Sequence, residues 1–356
     1  MSLDELRQKI DGIDTQILEL LNERARCAVE IADIKRAEKS VFYVPERERI
    51  VFERLKKKNK GPLPDDAIKA IYREVISSIR GLEKSISVAV LGPRYTFSHM
   101  AAQRFFGATA EYHPLPSLSD IFIEVERKRI DYGVVPSESS MGGSVSDTLD
   151  LFMGSELKII NEVLMRITQN LLANCPLEKI KRIYSKDNAF VQCRNWLQAN
   201  LPHAELVDTS STAEAARIAA GEDGAAAIAS ALAAQAYNLD VLVARIEDSP
   251  NNYTRFFVIG RQVPKPTGND KTSILISIKD RPGALYALLL PFSEAKVNLT
   301  RIESRPSRKK AWEYVFFVDL IGHEEDPPVK AAIERVAQHC VELKVLGSFP
   351  QGDIEE

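Results

Sequence analysis

From Leu3 the chain carries an apolar alternation of threes and fours, Leu3, Leu6, Ile10, Ile13, Ile17, Leu20, that only a helix brings onto one face. The same spacing continues through Arg24, Cys27, Ile31 and Ile34. Ser2 and Glu5 stand at capping-box spacing at its start. Helical patterning persists to residue 84, with breaks near 40–45 and at Gly61-Pro62-Leu63-Pro64. Two shorter helices cannot cover so long a stripe. Residues 1–85 therefore read as an all-α domain whose long helix pairs with that of a second copy, giving a homodimer or higher homo-oligomer.

From Ile86 the period changes. Short β-like runs (Ser87–Leu91, Tyr132–Pro136, Ala226–Ala229, Arg255–Ile259) alternate with helical ones, which is α/β patterning. The Ala-rich stretch 225–236 reads as a buried strand followed by a helix, not a membrane span. This α/β domain, residues 86–266, runs into a linker, Pro264-Lys265-Pro266-Thr267-Gly268-Asn269-Asp270. Residues 271–352 then give a βαββαβ order, the pattern of an α+β ferredoxin-like domain. Three domains suit 356 residues.

A formal net charge of -3 provides no overall basic field for nucleic acid, so any anion site is a local cluster. Cys27, Cys175, Cys193 and Cys340 form no C-x-x-C pair and stand near no histidine at metal-ligand spacing. No metal or other cofactor is expected. Scattered cysteines, no signal-like N-terminus and no long apolar run point to a cytoplasmic protein off the membrane.

Arg24 occupies a seam position where a hydrophobe is expected. An arginine snorkelling out of the stripe is one reading. Lys35, eleven residues on, lies about 20° around the helix and roughly 16 Å along it, so two cations face one seam across a small-molecule gap. Buried unpaired cations are costly, so an anionic ligand between them is the other reading. Arg7 lies about 100° around from Arg24 and cannot reach the same side from the same chain; a paired dimer would let it enter the partner's site.

The runs Leu6-Arg7-Gln8-Lys9-Ile10-Asp11, Glu23-Arg24, Ile34-Lys35, Pro45-Glu46-Arg47-Glu48, Tyr72-Arg73-Glu74 and Leu82-Glu83 make this segment resemble the all-helical, AroQ-type chorismate mutases. The resemblance implies an intertwined dimer in which Arg24 and Arg7, the latter in trans, hold the two carboxylates of chorismate. It implies that Lys35 and Glu83 hydrogen-bond the breaking ether oxygen, that Glu48 takes the ring hydroxyl and that Arg47 sits alongside. Such a pericyclic rearrangement needs no nucleophile or cofactor, only fixed geometry and donors to developing charge. Val44 and Ile79 depart from the aspartate and serine often found there.

In the middle domain, polar clusters recur where strands lead toward helices: Gly92–Ser98, Pro136–Ser144 and Ser210–Ala213. One such cluster is ordinary N-capping; three favour a two-lobed, periplasmic-binding-protein-like cleft for a carboxylate. With Asp248-Ser249-Pro250-Asn251-Asn252-Tyr253-Thr254-Arg255-Phe256, the segment resembles prephenate dehydratases. The resemblance implies that Thr254 assists departure of the ring hydroxyl of prephenate. It implies a substrate site from Thr96, Ser98, Glu138, Ser139, Ser140, Ser211, Thr212, Arg255 and Phe256. Tyr95, Ser139, Gln169-Asn170 and Lys186-Asp187-Asn188 depart from the family, which leaves open a weakly active or regulatory middle domain on an active mutase.

Arg281-Pro282-Gly283-Ala284-Leu285, Glu303-Ser304-Arg305-Pro306 and Leu346-Gly347-Ser348-Phe349-Pro350 resemble the phenylalanine-binding ACT domain. The resemblance implies an allosteric site of Gly283, Ala284, Leu285, Glu303, Ser304, Arg305 and Pro306, and feedback inhibition by phenylalanine. A non-enzymatic amino-acid sensor is the third reading, opposed by the arginine set of the first segment and by Thr254.

Overall fold

The computed structural model describes residues 1–37, 45–83, 85–279, 281–306, 314–352 and 354–355, without the side chains of Arg36, Pro45, Glu46, Glu83, Ile354 and Glu355. It comprises two compact units: Met1–Ile86 with Phe106–Glu111, and Ser87–Phe105 with Tyr112–Glu356.

The first unit is built on α1 (Leu3–Ala37), α2 (Pro45–Lys58) and α3 (Asp65–Glu83). At 35 residues, α1 is about 52 Å long. Its start is capped reciprocally: the Glu5 amide donates to Ser2 Oγ at 3.2 Å and the Ser2 amide to Glu5 Oε2 at 2.7 Å. Helix α3 packs against α1 and α2. This leaves the apolar stripe of α1 uncovered by its own chain, with Leu3 64%, Ile10 56%, Ile17 48%, Leu20 63% and Ile34 59% exposed.

The second unit begins with β1 (Ser87–Leu91), α4 (Phe97–Phe106), β2 (Glu111–Leu115), α5 (Leu118–Glu126), β3 (Tyr132–Ser139), β4 (Gly143–Ser144), α6 (Ser146–Gly154) and β5 (Lys158–Arg166). A second lobe follows: β6 (Asn170–Ala173), a 3-10 turn at Leu177–Lys179, β7 (Arg182–Ser185), α7 (Asp187–Gln192), α8 (Arg194–Asn200), β8 (Glu205–Asp208), α9 (Thr212–Ala219), β9 (Ala225–Ala229), α10 (Ala231–Tyr237) and β10 (Asp240–Val243). The chain returns to the first lobe through β11 (Tyr253–Gly260). The C-terminal domain is β12 (Asp270–Ile278), α11 (Ala284–Glu294), β13 (Leu299–Pro306), β14 (Tyr314–Ile321), α12 (Pro327–Ala337) and β15 (Glu342–Pro350), with a short β16 (Ile354–Glu355) after it.

Three sheets result: β16-β5-β11-β3-β1-β2 with β4 beside β3, β10-β6-β9-β7-β8, and β13-β14-β12-β15. Two α/β lobes with separate sheets are the two-lobed domain that the alternation predicts. The last sheet, with α11 and α12, is the ferredoxin-like βαββαβ unit. The Ala-rich stretch is strand β9, buried throughout, then α10. One detail differs from expectation. The cluster Pro136–Ser144 does not lead straight into a helix; the chain first turns back as β4, so that Glu138 pairs with Ser144 and Ser139 with Gly143.

The C-terminal sheet is apolar on both faces. Ile274, Ile276, Ile278 and Val318 pack with Leu288, Phe292, Val329 and Val336 of α11 and α12. Leu275, Val315, Phe317 and Phe349 share a core with Phe152, Ile159 and Phe257 of the first lobe. Edge-on ring contacts link Phe122, Phe152, Phe257 and Phe349 at 5.1, 6.1 and 6.2 Å. At Gly347 a Cβ would overlap the Ile159 carbonyl oxygen, so glycine lets β15 lie directly on β5.

Candidate active sites

In the helical unit, Arg24 and Lys35 are half-buried, although their helix is otherwise exposed along most of its length. Glu48, on α2, forms a close ion pair with Arg80 of α3, the side chains being 20% and 12% exposed. Burial pushes the Glu48 carboxyl above its ordinary range, against the opposing charge and hydrogen bond of Arg80 and the charges of Arg73 and Arg24. Three arginines from two helices thus act on one half-buried glutamate. This is a local cluster of positive charge in a chain of net charge -3.

Arg47 is exposed. The side chain of Glu83, and all of Val44, lie outside what the structure describes. Ile79 is 7% exposed and belongs to the core. Arg7 is exposed, 3.6 Å from Asp4, and stands about 25 Å along α1 from Arg24. The two cannot serve one site within one chain. Sequence reasoning missed Arg80. The available signal was its spacing from Arg73, seven residues or two turns, on the helix face that also carries Ser77.

In the second unit, β11 runs antiparallel between β3 and β5 and sets the register of the candidate dehydratase residues. Thr254 lies opposite Ser139 and Met165, and Arg255 opposite Glu138 and Leu164. Glu138, Ser139, Thr254 and Arg255 are therefore brought together, although 115 residues separate the two middle ones. Thr254 is half-buried at the strand entrance. The Ser140 hydroxyl accepts from the Tyr253 amide at 2.9 Å and donates to the Asn251 carbonyl at 2.8 Å, which clamps this corner. Ser139 Oγ accepts from the Met141 amide at 3.3 Å. Phe256 is 2% exposed and packs in the core.

Arg255 points away from solvent. It donates to Glu162 at 2.6 Å and to Asp319 of β14, and its guanidinium lies 4.7 Å from the Phe257 ring centroid. Ser211 caps α9 by accepting from the Glu214 amide at 3.1 Å, with Thr212 following half-buried. Ser98 is buried, and the Thr96 hydroxyl donates to the Leu91 carbonyl at 3.0 Å. Tyr95 has φ +69°, the left-handed conformation that glycine adopts without strain. Its ring fits by packing against Tyr237 and His99, at 5.7 and 5.9 Å between centroids. The Tyr95 amide donates to His99 Nδ1 at 3.0 Å, and burial with the nearby Arg94 charge holds that imidazole below its ordinary pKa. The hydroxyl of Ser230, capping α10 of the second lobe, donates to the Tyr95 carbonyl at 3.3 Å.

Between the lobes, the side-chain amides of Gln169 and Asn252 both donate to Gln192 Oε1 at 3.0 Å. Sequence reasoning passed over Gln192 because nothing local sets it apart. Among the described residues no group of three or more potential metal ligands occurs.

In the C-terminal domain, Gly283 has φ +77° and is the N-cap of α11, with Ala284 half-buried and Leu285 42% exposed. Ile278 pairs with Tyr314 and Tyr314 with Pro306, so the strand feeding Gly283 ends level with Pro306. The edge strand β13 alternates: Arg301, Glu303 and Arg305 face inward, while Ile302, Ser304 and Pro306 face solvent. Glu303 accepts from Ser144 and, at 2.9 Å, from Arg301. Arg305 donates to Ser146 at 2.6 Å and to Asp150 at 3.2 Å.

An arginine-rich helical domain, a two-lobed α/β domain with polar residues gathered at its strand ends, and a ferredoxin-like sheet packed on the first lobe define a multidomain enzyme for small anionic substrates. Family models match accordingly: chorismate mutase type II over residues 6–84, prephenate dehydratase over 88–264 and the ACT domain over 272–338. The chain is 49% identical over 359 residues, 99% of each chain, to a bifunctional chorismate mutase/prephenate dehydratase of Aquifex aeolicus. It is 45% identical over 356 residues, 98% of each, to that of Stutzerimonas stutzeri. Among solved structures, the prephenate dehydratase of Arthrobacter aurescens in complex with L-Phe is 37% identical with a TM-score of 0.70, over 76% of this chain and 91% of that one. The chain belongs to the bifunctional chorismate mutase/prephenate dehydratase family.

Proposed function

We infer that this protein catalyses two successive steps of phenylalanine biosynthesis, rearranging chorismate to prephenate and converting prephenate to phenylpyruvate. The observation that carries the reading is the presence, in one chain related end to end to bifunctional enzymes, of both the arginine-ringed Glu48 and the Thr254 strand.

For the first step, Arg24 and the partner copy's equivalent of Arg7 hold the two carboxylates of chorismate. Lys35 and Glu83 donate to the ether oxygen as its bond breaks, and Glu48 receives the ring hydroxyl beside Arg47. The catalytic effect is conformational restraint together with donors fixed where charge develops. The 25 Å between Arg7 and Arg24 and the exposed stripe of α1 support a homodimer of paired long helices.

For the second step, the C–C bond to the ring carboxylate breaks and carbon dioxide leaves, the bond's electron pair aromatises the ring, and the ring hydroxyl leaves with a proton as water. The Thr254 hydroxyl donates to that departing oxygen, which lowers the barrier for a poor leaving group. Thr96, Ser98, Glu138, Ser139, Ser140, Ser211 and Thr212 line the substrate site from both lobes, while Arg255 and Phe256 anchor the strand that carries Thr254.

Phenylalanine is the proposed effector, bound at Gly283–Leu285 and Glu303–Pro306. The likeness to a dehydratase solved with L-Phe supports this. Domain boundaries at 1–85, 86–266 and 271–352 and a cytoplasmic site of action complete the proposal; the free state of the four cysteines supports the latter. Purified protein incubated with chorismate should accumulate phenylpyruvate, and less of it when phenylalanine is added. Accumulation of prephenate alone overturns the second step, and unconsumed chorismate overturns the first.

A further inference from the structure

The inward face of β13 meets the dehydratase lobe in a compact network of charges. Arg301, 10% exposed at its side chain, lies 2.9 Å from Glu303 through Nη2, and through Nε 3.7 Å from Glu138 Oε2. The same Nη2 donates to Ser144, which in turn donates to Glu303. Ser144 is the cross-strand partner of Glu138 in the β3–β4 hairpin. From the other side, Arg255 Nη1 stands 3.9 Å from the same oxygen of Glu138. Glu138 is the most exposed of these groups, at 39%, and it directly precedes Ser139, which lies opposite Thr254.

We propose that Arg301, outside the dehydratase domain in sequence, is a positioning residue for Glu138 and shares its guanidinium between Glu138 and the effector-site carboxylate of Glu303. This deepens the reading above and rests on it. A buried guanidinium carries five donors and needs acceptors for them. Here Glu303 and Ser144 take the short contacts, while Glu138 is held only at 3.7 and 3.9 Å, by charge and not by hydrogen bonds. That arrangement has two settings. With Glu303 engaged by Arg301, the more distant guanidinium charge holds Glu138 in place for the substrate site. When the ammonium of an amino-acid effector claims Glu303, Arg301 loses its near carboxylate and turns to the next, Glu138. The 3.7 Å separation then closes toward a charge-assisted hydrogen bond, and Glu138 is drawn away from the residues around Thr254.

The test uses the full-length protein with Arg301→Gln, Arg301→Lys, Glu138→Gln and the Arg301→Gln/Glu138→Gln double variant, measuring prephenate turnover with and without phenylalanine. Arg301→Gln should lower dehydratase kcat about tenfold with a smaller change in KM, and weaken phenylalanine inhibition. Arg301→Lys should recover part of the rate, since it keeps the charge but cannot bridge three acceptors at once. The double variant should be no slower than the worse single variant, because Arg301 acts through Glu138. Losses that multiply in the double variant indicate a merely structural role and overturn the proposal. So does an Arg301→Gln protein whose turnover and inhibition stay within about twofold of the unmodified protein. If Arg301→Gln does not fold, Arg301→Lys alone and combined with Glu138→Gln decides by the same comparison. An unmodified protein that consumes chorismate but leaves prephenate unchanged fails at the dehydratase assignment itself, a distinct result.

Discussion

The Nε of Arg255 lies 2.6 Å from Glu162 Oε2, with the two side chains 8% and 0% exposed. Lys271 reaches the other oxygen of Glu162 at 2.9 Å, and Asp319 closes on Arg255 from β14. The strand that carries Thr254 is therefore tied by charge to the C-terminal sheet through the very next residue. No loop intervenes between that tie and Thr254.

Arg255→Gln should be strongly destabilising, because it leaves two buried carboxylates short of a cation. Breaking such a pair costs about 3–5 kcal/mol. Burial alone would raise the Asp319 carboxyl, but the charge and hydrogen bond of Arg255, with Ser273 and the Arg301 charge, hold it below its ordinary value. A carboxylate depressed on folding adds stability above its unfolded pKa and loses that contribution as pH falls through the folded one. Thermal unfolding as a function of pH should therefore show the variant's deficit widest at neutral pH and narrowing in the acid carboxylate range. A deficit that is constant with pH rules out this account.

Much of this was legible in the sequence because it is periodic. The 3-4 stripe of α1 and the βαββαβ order each repeat a local pattern that backbone geometry imposes. The contacts of Glu303 were not legible. Its motif marked it as a candidate effector-site carboxylate, but its partner Ser144 lies 159 residues away, and only the packing of β13 on the β3–β4 hairpin brings them together. Tyr95 shows a different limit. The substitution at a turn glycine was visible, and so was its cost; the rings of Tyr237 and His99 that accommodate it were not. Arg80 looked like any helix-surface cation until Glu48 stood beside it.

Arg80 should set the acid limit of the mutase. Burial raises the Glu48 carboxyl, and Arg80 opposes that rise by charge and hydrogen bond. In Arg80→Gln the opposition is gone, so Glu48 takes up its proton at a higher pH and accepts the ring hydroxyl over a narrower range. The acid limb of the mutase pH profile should move upward, with dehydratase activity on added prephenate unchanged. An unmoved limb would separate Arg80 from Glu48 in function.

Arg7→Ala and Arg24→Ala should each reduce mutase activity by about 2–4 kcal/mol of transition-state stabilisation. Refolded together, the two inactive chains should regain activity, because one of the two sites in the hybrid dimer then carries both arginines. This follows from the length of α1, along which one chain cannot bring Arg7 to its own Arg24. Verified heterodimers without activity would put Arg7 outside the site.

Thr254 carries the dehydratase assignment. It sits half-buried at the entrance of β11, opposite Ser139, with Arg255 and Phe256 fixed in the interior immediately after it. The strand is thus anchored independently of the Thr254 hydroxyl, and removing that hydroxyl should cost activity, not fold. Thr254→Ala should keep its melting temperature and its mutase rate while losing most prephenate turnover. The loss of one aligned donor in a transition state is expected to be about 10²–10³-fold. Thr254→Ser keeps the hydroxyl but not the methyl that restricts its rotamer, so it should retain an intermediate rate. The comparison belongs at neutral pH, where the uncatalysed loss of water and carbon dioxide is slow. Equal slow turnover by Thr254→Ala and by the unmodified protein would make the middle domain a binding module attached to a working mutase.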